Sequence, residues 1–408
     1  MRVLLMGYGS RGDVEPLAAL GLALHRLGAE VRVCAPPDPE FAGLLARAGV
    51  PHVPFGPSVR SVVTRPDPQP SDAFRLAAEL VAAHFGAVAE AAEGCDAVVA
   101  TGLMPAGVRS VTERLGIRYV FACPHPFGMP SSHFPPAGRP GRPAPPGADL
   151  RTLWKVDAER VDALYGEPLN THRAAAGLPP VDDVRAHVLT GRAWLAADPV
   201  LGPWQDLTDL DLVQTGAWLL PDERPLPDDL TAFLAAGEPP VYVGFGSMAM
   251  RGAPDAARAA VEAVRAQGRR VLVGRGWAGL APIDGRADCL AVGEVNHQAL
   301  FRRVAAVVHH GGAGTTTAAA VAGVPQVVVP QIVDQPYWAA RVAELGIGAA
   351  HDGPTPTTES LSAALALALA AAVRTRAAAV AGDVRTDGAT VAARLLLDGT
   401  GGQPPLSA

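Results

Sequence analysis

Short apolar runs alternate with longer amphipathic stretches along the first 122 residues of the chain. The runs at 2–6, 30–34 and 97–100 have the length and composition of buried strands, while the stretches at 16–27 and 71–93 repeat apolar residues at helical spacing. Strands that alternate with helices form parallel sheets with helices on both faces. The pattern therefore predicts a doubly wound, Rossmann-like α/β domain with a parallel sheet.

The same alternation begins again in the second half of the chain. An apolar run at 240–245 predicts a new first strand, and helical spacing follows at 253–267. Between the two regions, 216–237 contains three prolines and several acidic residues, which favours a linker. We therefore expect two Rossmann-like domains, 1–215 and 238–384, that face each other across a cleft.

The composition excludes some classes of protein. The 408 residues carry 34 Lys and Arg against 40 Asp and Glu, a formal net charge of −6, and 49% of them are hydrophobic. An acidic chain is poorly suited to nucleic acid, so we expect no nucleic acid partner. The N-terminal apolar run is too short for a signal peptide, and the stretch at 361–373 is too short to span a membrane and predicts a packed helix.

The four cysteines are Cys34, Cys95, Cys123 and Cys289. Their spacing includes no C-x-x-C, so it indicates neither a zinc site nor a disulfide framework. It is compatible with a reducing compartment. We expect a cytoplasmic protein that acts as a monomer, without a membrane partner.

The first strand leads into Gly7-Tyr8-Gly9-Ser10-Arg11-Gly12, which matches the dinucleotide-binding pattern G-x-G-x-x-G. In that motif the glycines run directly into the helix. Here Pro16 is typical of a first helical residue, which places the third glycine in a loop. The acidic residue expected at the end of the second strand is also missing, because Cys34 and Ala35 occupy that place. Both observations disfavour nicotinamide binding.

Asp13 lies between this loop and the predicted helix. A carboxylate near a helix N-terminus commonly accepts backbone N–H bonds and interacts favourably with the helix dipole, so capping is one interpretation. The alternative is a general base in the cleft that accepts a proton from a bound hydroxyl. The local pattern leaves both interpretations open.

A second glycine-rich turn, His309-His310-Gly311-Gly312-Ala313-Gly314-Thr315-Thr316, follows an apolar strand and precedes an Ala-rich helix. Small residues let a ligand approach the backbone, a helix N-terminus presents N–H groups, and His and Thr add donors to phosphate oxygens. No Walker lysine is present. The turn therefore favours a diphosphate site over a purely structural role. After the next strand, the polar pair Asp334-Gln335 can hold vicinal hydroxyls.

Five segments resemble, in their order and spacing, the motifs of the GT-B glycosyltransferases of family 1. They are Gly9-Ser10-Arg11-Gly12-Asp13, Gly244-Phe245-Gly246-Ser247, Gly293-Glu294-Val295-Asn296-His297, the turn at 309–316 and Asp334-Gln335-Pro336. The resemblance covers nearly the whole chain and is narrower for the bacterial enzymes that glycosylate vancomycin-group glycopeptide aglycones. It implies the GT-B fold, with a last helix at 385–398 that crosses back to the N-terminal domain.

The resemblance also implies an inverting, metal-independent transfer from a nucleotide sugar, with no cofactor, to a glycopeptide aglycone or a similar small acceptor. Asp13 would be the general base that deprotonates the acceptor hydroxyl, which we expect to be phenolic. A hexose fits the Asp334-Gln335 pair better than a deoxyaminosugar does. We therefore expect glucose from UDP-glucose first and a dTDP-deoxysugar second.

The resemblance assigns the remaining donor contacts by residue. The diphosphate would be bound by Ser10, Arg11, Ser247, His309, Gly311, Gly312, Gly314 and Thr315. The nucleobase would be held by Arg275, Trp277 and the backbone near Val295, and the sugar by Asp334 and Gln335.

A proline-rich loop at 127–147 is predicted on the cleft side of the N-terminal sheet, so His125, Phe127 and Met129 are candidates for acceptor contacts. The D-x-D segment Asp209-Leu210-Asp211 is interpreted as a surface acidic pair. Two other classes remain open. A nucleotide-sugar epimerase or hydrolase would need further carboxylates, and a non-catalytic nucleotide-sugar binder would need the turn at 309–316 but not Asp13.

Overall fold

The computed structural model describes residues 1–132, 134–136, 143–189, 192–204, 210–248 and 253–399. The chain folds into two compact units. The first comprises Met1–Leu220 together with the chain from Arg385 onward, and the second is Pro221–Val384. The expected linker at 216–237 is therefore divided between them.

The first unit is built on a seven-stranded parallel sheet. Its strands are β1 Arg2–Tyr8, β2 Glu30–Ala35, β3 His52–Pro54, β4 Ala97–Gly102, β5 Arg118–Cys123, β6 Ala193–Leu195 and β7 Leu212–Gln214. They lie in the order β3-β2-β1-β4-β5-β6-β7. Leu4, Leu5 and Met6 in the central strand are wholly buried, because helices cover both faces of the sheet.

The helices of this unit follow the strands in chain order. They are α1 Arg11–Arg26, α2 Pro39–Arg47, α3 Val59–Val63, α4 Pro70–Ala83, α5 Ala89–Ala92, α6 Val108–Leu115, α7 Leu150–Ala175 and α8 Val184–Leu189. A π-helical segment, His84–Val88, joins α4 to α5, and a short 3₁₀ turn covers Pro126–Gly128. The stretch predicted at 71–93 is thus helical throughout, with one local widening.

Helix α1 begins five residues before the predicted start. Ser10 is its N-cap and accepts a hydrogen bond from the Gly12 N–H at 3.3 Å. Pro16 lies inside the helix, where it removes only the bond to the Gly12 carbonyl. The prediction that Pro16 starts the helix is therefore wrong, because an early proline costs few backbone bonds. Gly12 and Asp13 belong to the first turn.

The second unit contains a six-stranded parallel sheet. Its strands are β8 Val241–Gly244, β9 Val271–Gly274, β10 Cys289–Val292, β11 Ala306–His309, β12 Gln326–Val328 and β13 Gly348–Ala350. They lie in the order β10-β9-β8-β11-β12-β13. The strand order reverses between β8 and β11, which is the switch point where doubly wound sheets bind ligands. The fold class predicted from the alternation is confirmed.

The helices of the second unit are α9 Asp228–Ala235, α10 Ala253–Ala266, α11 His297–Leu300, α12 Ala313–Val321, α13 Gln335–Glu344, α14 Thr358–Ala368 and α15 Ala371–Ala381. Alternate strand residues enter two separate cores. Val243 and Val308 pack with α10 and α14, whereas Tyr242 and Val307 pack on the face covered by α12. This alternation decides which side chains reach the site.

The last helix, α16 Gly388–Leu397, packs against α1 in the first unit. A Cβ on Gly388 would lie 2.4 Å from the backbone carbon of Gly216, so only glycine allows this approach. The Arg385 N–H donates to Asp198 Oδ2 at 2.8 Å and the Arg118 guanidinium donates to the Leu396 carbonyl at 2.7 Å. These contacts join the end of the chain to the first unit.

In the part of the chain that is described, no single helix has both the length and the apolar character to cross a membrane, although α14 and α15, bent by 64°, meet these criteria as a pair. The stretch predicted as one helix at 361–373 is divided between these two helices. The break falls at Leu369 and Ala370, which are not helix breakers, so the sequence carries no signal for it.

Candidate active site

The predicted donor residues of the second unit lie in the loops at one edge of its sheet. In a parallel sheet the carboxyl ends of all strands lie at the same edge, so the loops after β8, β9, β10, β11 and β12 are neighbours. Hydrogen bonds join the loops after β8 and β9 and the end of β10 in series. The Arg275 N–H donates to the Val292 carbonyl at 3.0 Å, and the Trp277 N–H donates to the Gly246 carbonyl at 2.9 Å. This part of the edge is therefore connected through its backbone.

His310 lies at the centre of this edge, directly after β11. A Cβ on Gly246 would be 3.1 Å from its ring Cε1, and a Cβ on Gly312 would be 2.6 Å from its Nε2. The two glycines thus make room for the ring from opposite loops. Its Nδ1 is shielded from solvent and has no hydrogen-bond partner among the described residues. Burial lowers the pKa of His310 to about 4, partly offset by the nearby Asp334 carboxylate.

Helix α12 begins at this point with an open N-terminus. Its N-cap is Gly312, which provides no side-chain cap. The hydroxyls of Thr316 and Thr317 donate to the carbonyls of Gly312 and Ala313, one turn back. Within the described chain, Thr315 makes no such bond. The first turn of α12 therefore offers backbone N–H groups, a hydroxyl and the positive end of the helix dipole to an anion.

The structure corrects the predicted role of His309. Its ring is wholly buried, and both ring nitrogens take part in hydrogen bonds. Nδ1 accepts the Gly311 N–H at 3.1 Å, and Nε2 lies 2.9 Å from Gln326 Oε1. Burial lowers its pKa to about 3, so the ring is neutral. His309 has no nitrogen left for a phosphate. The Gly311 N–H is also occupied, so Gly311 contributes its left-handed backbone, at φ +90°, rather than a donor.

Asp334 and Gln335 lie at the start of α13, after β12. Asp334 accepts the Trp338 Nε1–H through Oδ2 at 2.8 Å, which fixes the orientation of its half-buried carboxylate. Gln335 is 5% exposed, and its amide oxygen accepts the Gln331 and Ile332 N–H groups at 2.8 and 3.1 Å. The expected sugar contact of Gln335 is corrected accordingly, because its side chain holds the loop while Asp334 remains at the site.

The loop before α13 contains a strained residue. Val333 has φ +56°, the only positive value among non-glycine residues in the described ranges, and it is 50% exposed. A β-branched side chain is disfavoured in this conformation. The strain adjoins Asp334, and strained residues of this kind cluster at functional sites.

The remaining donor candidates lie in the loops after β8 to β10. Ser247 and Trp277 are half-buried, Arg275 is exposed, and Val295 is buried. A Cβ on Gly276 would be 2.5 Å from the Gly246 carbonyl oxygen, so these two loops touch at glycine positions. The strand order places Ser247 beside the turn at 309–316, with Arg275, Trp277 and Val295 progressively farther along the edge.

In the first unit, Asp13 occupies the third position of α1 and is half-buried. A Cβ on Gly9 would lie 2.0 Å from Asp13 Oδ2, so the carboxylate rests against the backbone of Gly9. Ser10 is used as the helix cap, and Arg11 donates to Glu15 Oε2 at 2.6 Å. Both have local roles, and their contact with a diphosphate stays a prediction.

The structure removes one of the two observations that disfavour nicotinamide binding. Because α1 starts at Arg11, the third glycine does enter the helix, as in a dinucleotide motif. The acidic residue expected at the end of the second strand is still missing, and this disfavours nicotinamide binding. Cys34 and Ala35 at the end of β2 are buried, and the first carboxylate after them, Asp38, accepts bonds from the Val59 and Arg60 N–H groups and the Ser58 hydroxyl. It is committed to α3 rather than to a ribose.

The expected acceptor residues follow β5. The rings of His125 and Phe127 lie 6.4 Å apart, and Phe127 stacks on Phe134 at 5.9 Å. Both His125 and Phe127 are half-buried, so each keeps an exposed edge. Met129 is wholly buried and is therefore not offered to an acceptor, contrary to expectation. Residues 133 and 137–142 of the predicted loop at 127–147 lie outside the described residues.

No group of three or more His, Cys, Asp or Glu side chains that could hold a metal ion occurs within the described ranges. Asp209 of the D-x-D segment lies outside them. Asp211 is exposed and pairs with Arg192 at 3.0 Å.

His310 belongs to the turn predicted from the sequence, but the phosphate contact was expected from His309 alone. The available signal was the end of the strand. Residues 307 and 309 point to the face covered by α12, so His309 is still part of the core, while His310 is the first residue free to turn toward the edge. The two neighbouring histidines therefore have different environments.

Solved structures show the same architecture. A glycotransferase of kitacinnamycin superposes with a TM-score of 0.73 at 21% identity, covering 97% of this chain and 98% of that one. The glycosyltransferase VinC, in complex with dTDP, gives 0.66 at 21% identity over 98% of this chain and 99% of its own. The fold is that of the GT-B glycosyltransferases.

Sequence comparison places the chain more closely. Residues 287–392 match the model of the erythromycin biosynthesis protein CIII-like C-terminal domain. Glycosyltransferase GtfE and vancomycin aglycone glucosyltransferase, both of Amycolatopsis orientalis, are 58% and 56% identical to this chain, each over 99% of both chains. The dTDP-epi-vancosaminyltransferase of the same organism is 51% identical, again over 99% of both. The chain belongs to the family 1 GT-B glycosyltransferases and is a glycosyltransferase.

Proposed function

We propose that the enzyme transfers a hexose, glucose from UDP-glucose, to a phenolic hydroxyl of a glycopeptide antibiotic aglycone. The assignment of a nucleotide-sugar donor rests on the turn at 309–312. There an uncapped helix N-terminus and the ring of His310 meet at the switch point of the second sheet. The acceptor class is supported by the 56% identity to a vancomycin aglycone glucosyltransferase.

The diphosphate would lie against the first turn of α12. The N–H groups there, the Thr315 hydroxyl and the His310 ring would donate to its oxygens and stabilise the charge that grows on the leaving group. Ser247 lies in the loop after β8, the strand next to β11. These donors supply electrophilic help without a metal ion, so we propose that activity persists in the presence of a chelator.

Asp13 would act as the general base. A neutral phenol, with an unperturbed pKa of about 10, is a weak nucleophile near neutral pH. As its oxygen forms the bond to the anomeric carbon, the bond from that carbon to the phosphate oxygen breaks. The phenolic proton passes to Asp13, and the nucleoside diphosphate leaves with the bonding electrons. Attack opposite the leaving group inverts the anomeric configuration.

A dTDP-deoxysugar is the second candidate donor. It is supported by the 51% identity to a dTDP-epi-vancosaminyltransferase and by the dTDP bound in the VinC structure. The commitment of Gln335 to its own loop leaves Asp334 as the expected sugar contact, which weakens the preference for a sugar with several hydroxyls. We retain glucose because of the glucosyltransferase relative.

The test is a transfer assay followed by mass spectrometry. The protein is incubated with UDP-glucose, dTDP-glucose or a dTDP-deoxysugar, with and without a glycopeptide aglycone, and with EDTA in parallel. We expect a gain of one hexose on the aglycone with UDP-glucose, unaffected by EDTA. If only the dTDP-deoxysugar supports transfer, the donor is the second candidate and not UDP-glucose. An altered sugar nucleotide without acceptor would indicate an epimerase or hydrolase, and binding without turnover a non-catalytic binder.

A further inference from the structure

The turn at 309–312 is held by a short chain of hydrogen bonds inside the second unit. Gln326 opens β12 and is fully buried beside β11. In the parallel register Gln326 is paired with Val307, so its side chain shares a face with Val307 and His309. Its Oε1 lies 2.9 Å from His309 Nε2, and His309 Nδ1 receives the Gly311 N–H at 3.1 Å.

The backbone decides how the protons are arranged in this chain. The Gly311 N–H can only donate, so His309 Nδ1 must carry a lone pair. The neutral ring then carries its proton on Nε2, and Gln326 must present its oxygen rather than its nitrogen. The opposite amide orientation would place two donors together at Gly311. The Gln326 Nε2 atom has no partner among the described residues, so this side chain contributes through its oxygen.

We propose that Gln326 and His309 are positioning residues that fix the path of the donor-phosphate turn, with Gln326 selecting the imidazole tautomer that captures the Gly311 N–H. Gly311 adopts φ +90°, and a Cβ there would lie 2.7 Å from Val328 Cγ1. Anchoring its N–H sets the direction in which the chain leaves for Gly312 and α12. This inference rests on the proposed function, in which α12 and His310 bind the diphosphate.

The test compares two replacements of His309. Asn places its side-chain oxygen where Nδ1 was, so His309→Asn keeps an acceptor for Gly311. Gln is closer in size to His but extends past that position, so His309→Gln keeps only the contact with Gln326. We expect UDP or dTDP, whichever the unmodified enzyme binds more tightly, to bind at least about fivefold more weakly to His309→Gln than to His309→Asn. A role limited to filling volume predicts the opposite order.

Gln326→Leu removes the acceptor at similar volume, and we expect about tenfold weaker nucleotide binding. The matched control is Gln267→Leu in the same unit, because the Gln267 amide donates to the Ser362 carbonyl at 3.3 Å, away from the turn. Thermal unfolding of each variant separates loss of binding from loss of fold. Equal binding by Gln326→Leu and the control would overturn the proposal.

The tautomer of His309 can be measured in the unmodified enzyme as well as in a variant. In the histidine-labelled enzyme, two-bond ¹H–¹⁵N correlation should show His309 protonated on Nε2 alone, and Gln326→Leu should add the Nδ1-protonated form. Protonation on Nδ1 in the unmodified enzyme would contradict the proposal. If that enzyme binds neither nucleotide, the proposed function fails and the inference fails with it. If it binds but His309→Asn and His309→Gln bind alike, only the inference fails.

Discussion

The two glycine-rich turns of this chain differ in what stands at the start of the helix that follows. The N-terminus of helix α1 is capped by the Ser10 side chain, and the Asp13 carboxylate lies in its first turn. Helix α12 has a glycine cap and no acidic residue in its first turn. A carboxylate at the first site repels phosphate, whereas the second site attracts it. Similar glycine patterns are thus compatible with the two opposite roles that we propose, proton acceptance at Asp13 and anion binding at α12.

Removing the carboxylate should give the largest effect on turnover. Asp13→Asn keeps the size of the side chain but cannot accept the acceptor proton, so we expect kcat to fall about 10²–10⁴-fold. Steady-state transfer to the aglycone measures it. Glu15→Gln is the control, since Glu15 is a nearby carboxylate of α1 that pairs with Arg11. A loss under tenfold, or an equal loss in both variants, would assign Asp13 to capping instead.

Filling the space beside His310 should affect the other turn. Gly312 has φ −64°, which alanine also adopts, but a Cβ there would lie 2.6 Å from His310 Nε2. We expect Gly312→Ala to displace the ring and weaken nucleoside diphosphate binding about 10–100-fold, measured by calorimetry. Gly285→Ala is the matched control, because a Cβ there meets nothing within 4 Å. Unchanged affinity in Gly312→Ala would separate His310 from the phosphate.

The neutral His310 should make stability depend on pH. Burial lowers its pKa from 6.5 to about 4 in the folded chain, so the unfolded chain binds the proton more readily below pH 6.5. This contribution is complete above about pH 6.5 and is lost as the pH falls toward about 4. The unfolding constant should rise up to about tenfold per pH unit from this group. As the pH is lowered from about 6.5 to about 4, the urea midpoint of His310→Gln should decrease less steeply than that of the unmodified enzyme. Parallel curves would contradict the burial.

The smallest effect is expected at the sugar contact. Trp338→Phe removes the N–H that holds Asp334 and leaves most of the buried ring volume. We expect a three- to tenfold higher KM for a hexose donor. The control is Trp194→Phe, because the buried Trp194 N–H has no partner in the described part of the chain. Similar KM values for the two variants would show that Asp334 needs no support from Trp338.

The fold was largely predictable because buried parallel strands are short apolar runs, and β1, β2 and β4 were found within two residues. The start of α1 was not, since a proline is tolerated where few helical bonds are lost. The roles of His309 and His310 depend on where β11 ends. The contact between His309 and Gln326 joins residues 17 apart through strand register, which no local pattern encodes.

The different roles that we propose for the two turns can be tested in a single set of titrations. UDP or dTDP is added to the unmodified enzyme, to Asp13→Asn and to His310→Ala under the same conditions, and the dissociation constants are compared. Our account predicts that Asp13→Asn binds within about twofold of the unmodified enzyme, whereas His310→Ala binds at least about tenfold more weakly. Weaker binding by Asp13→Asn with no change in His310→Ala would contradict it.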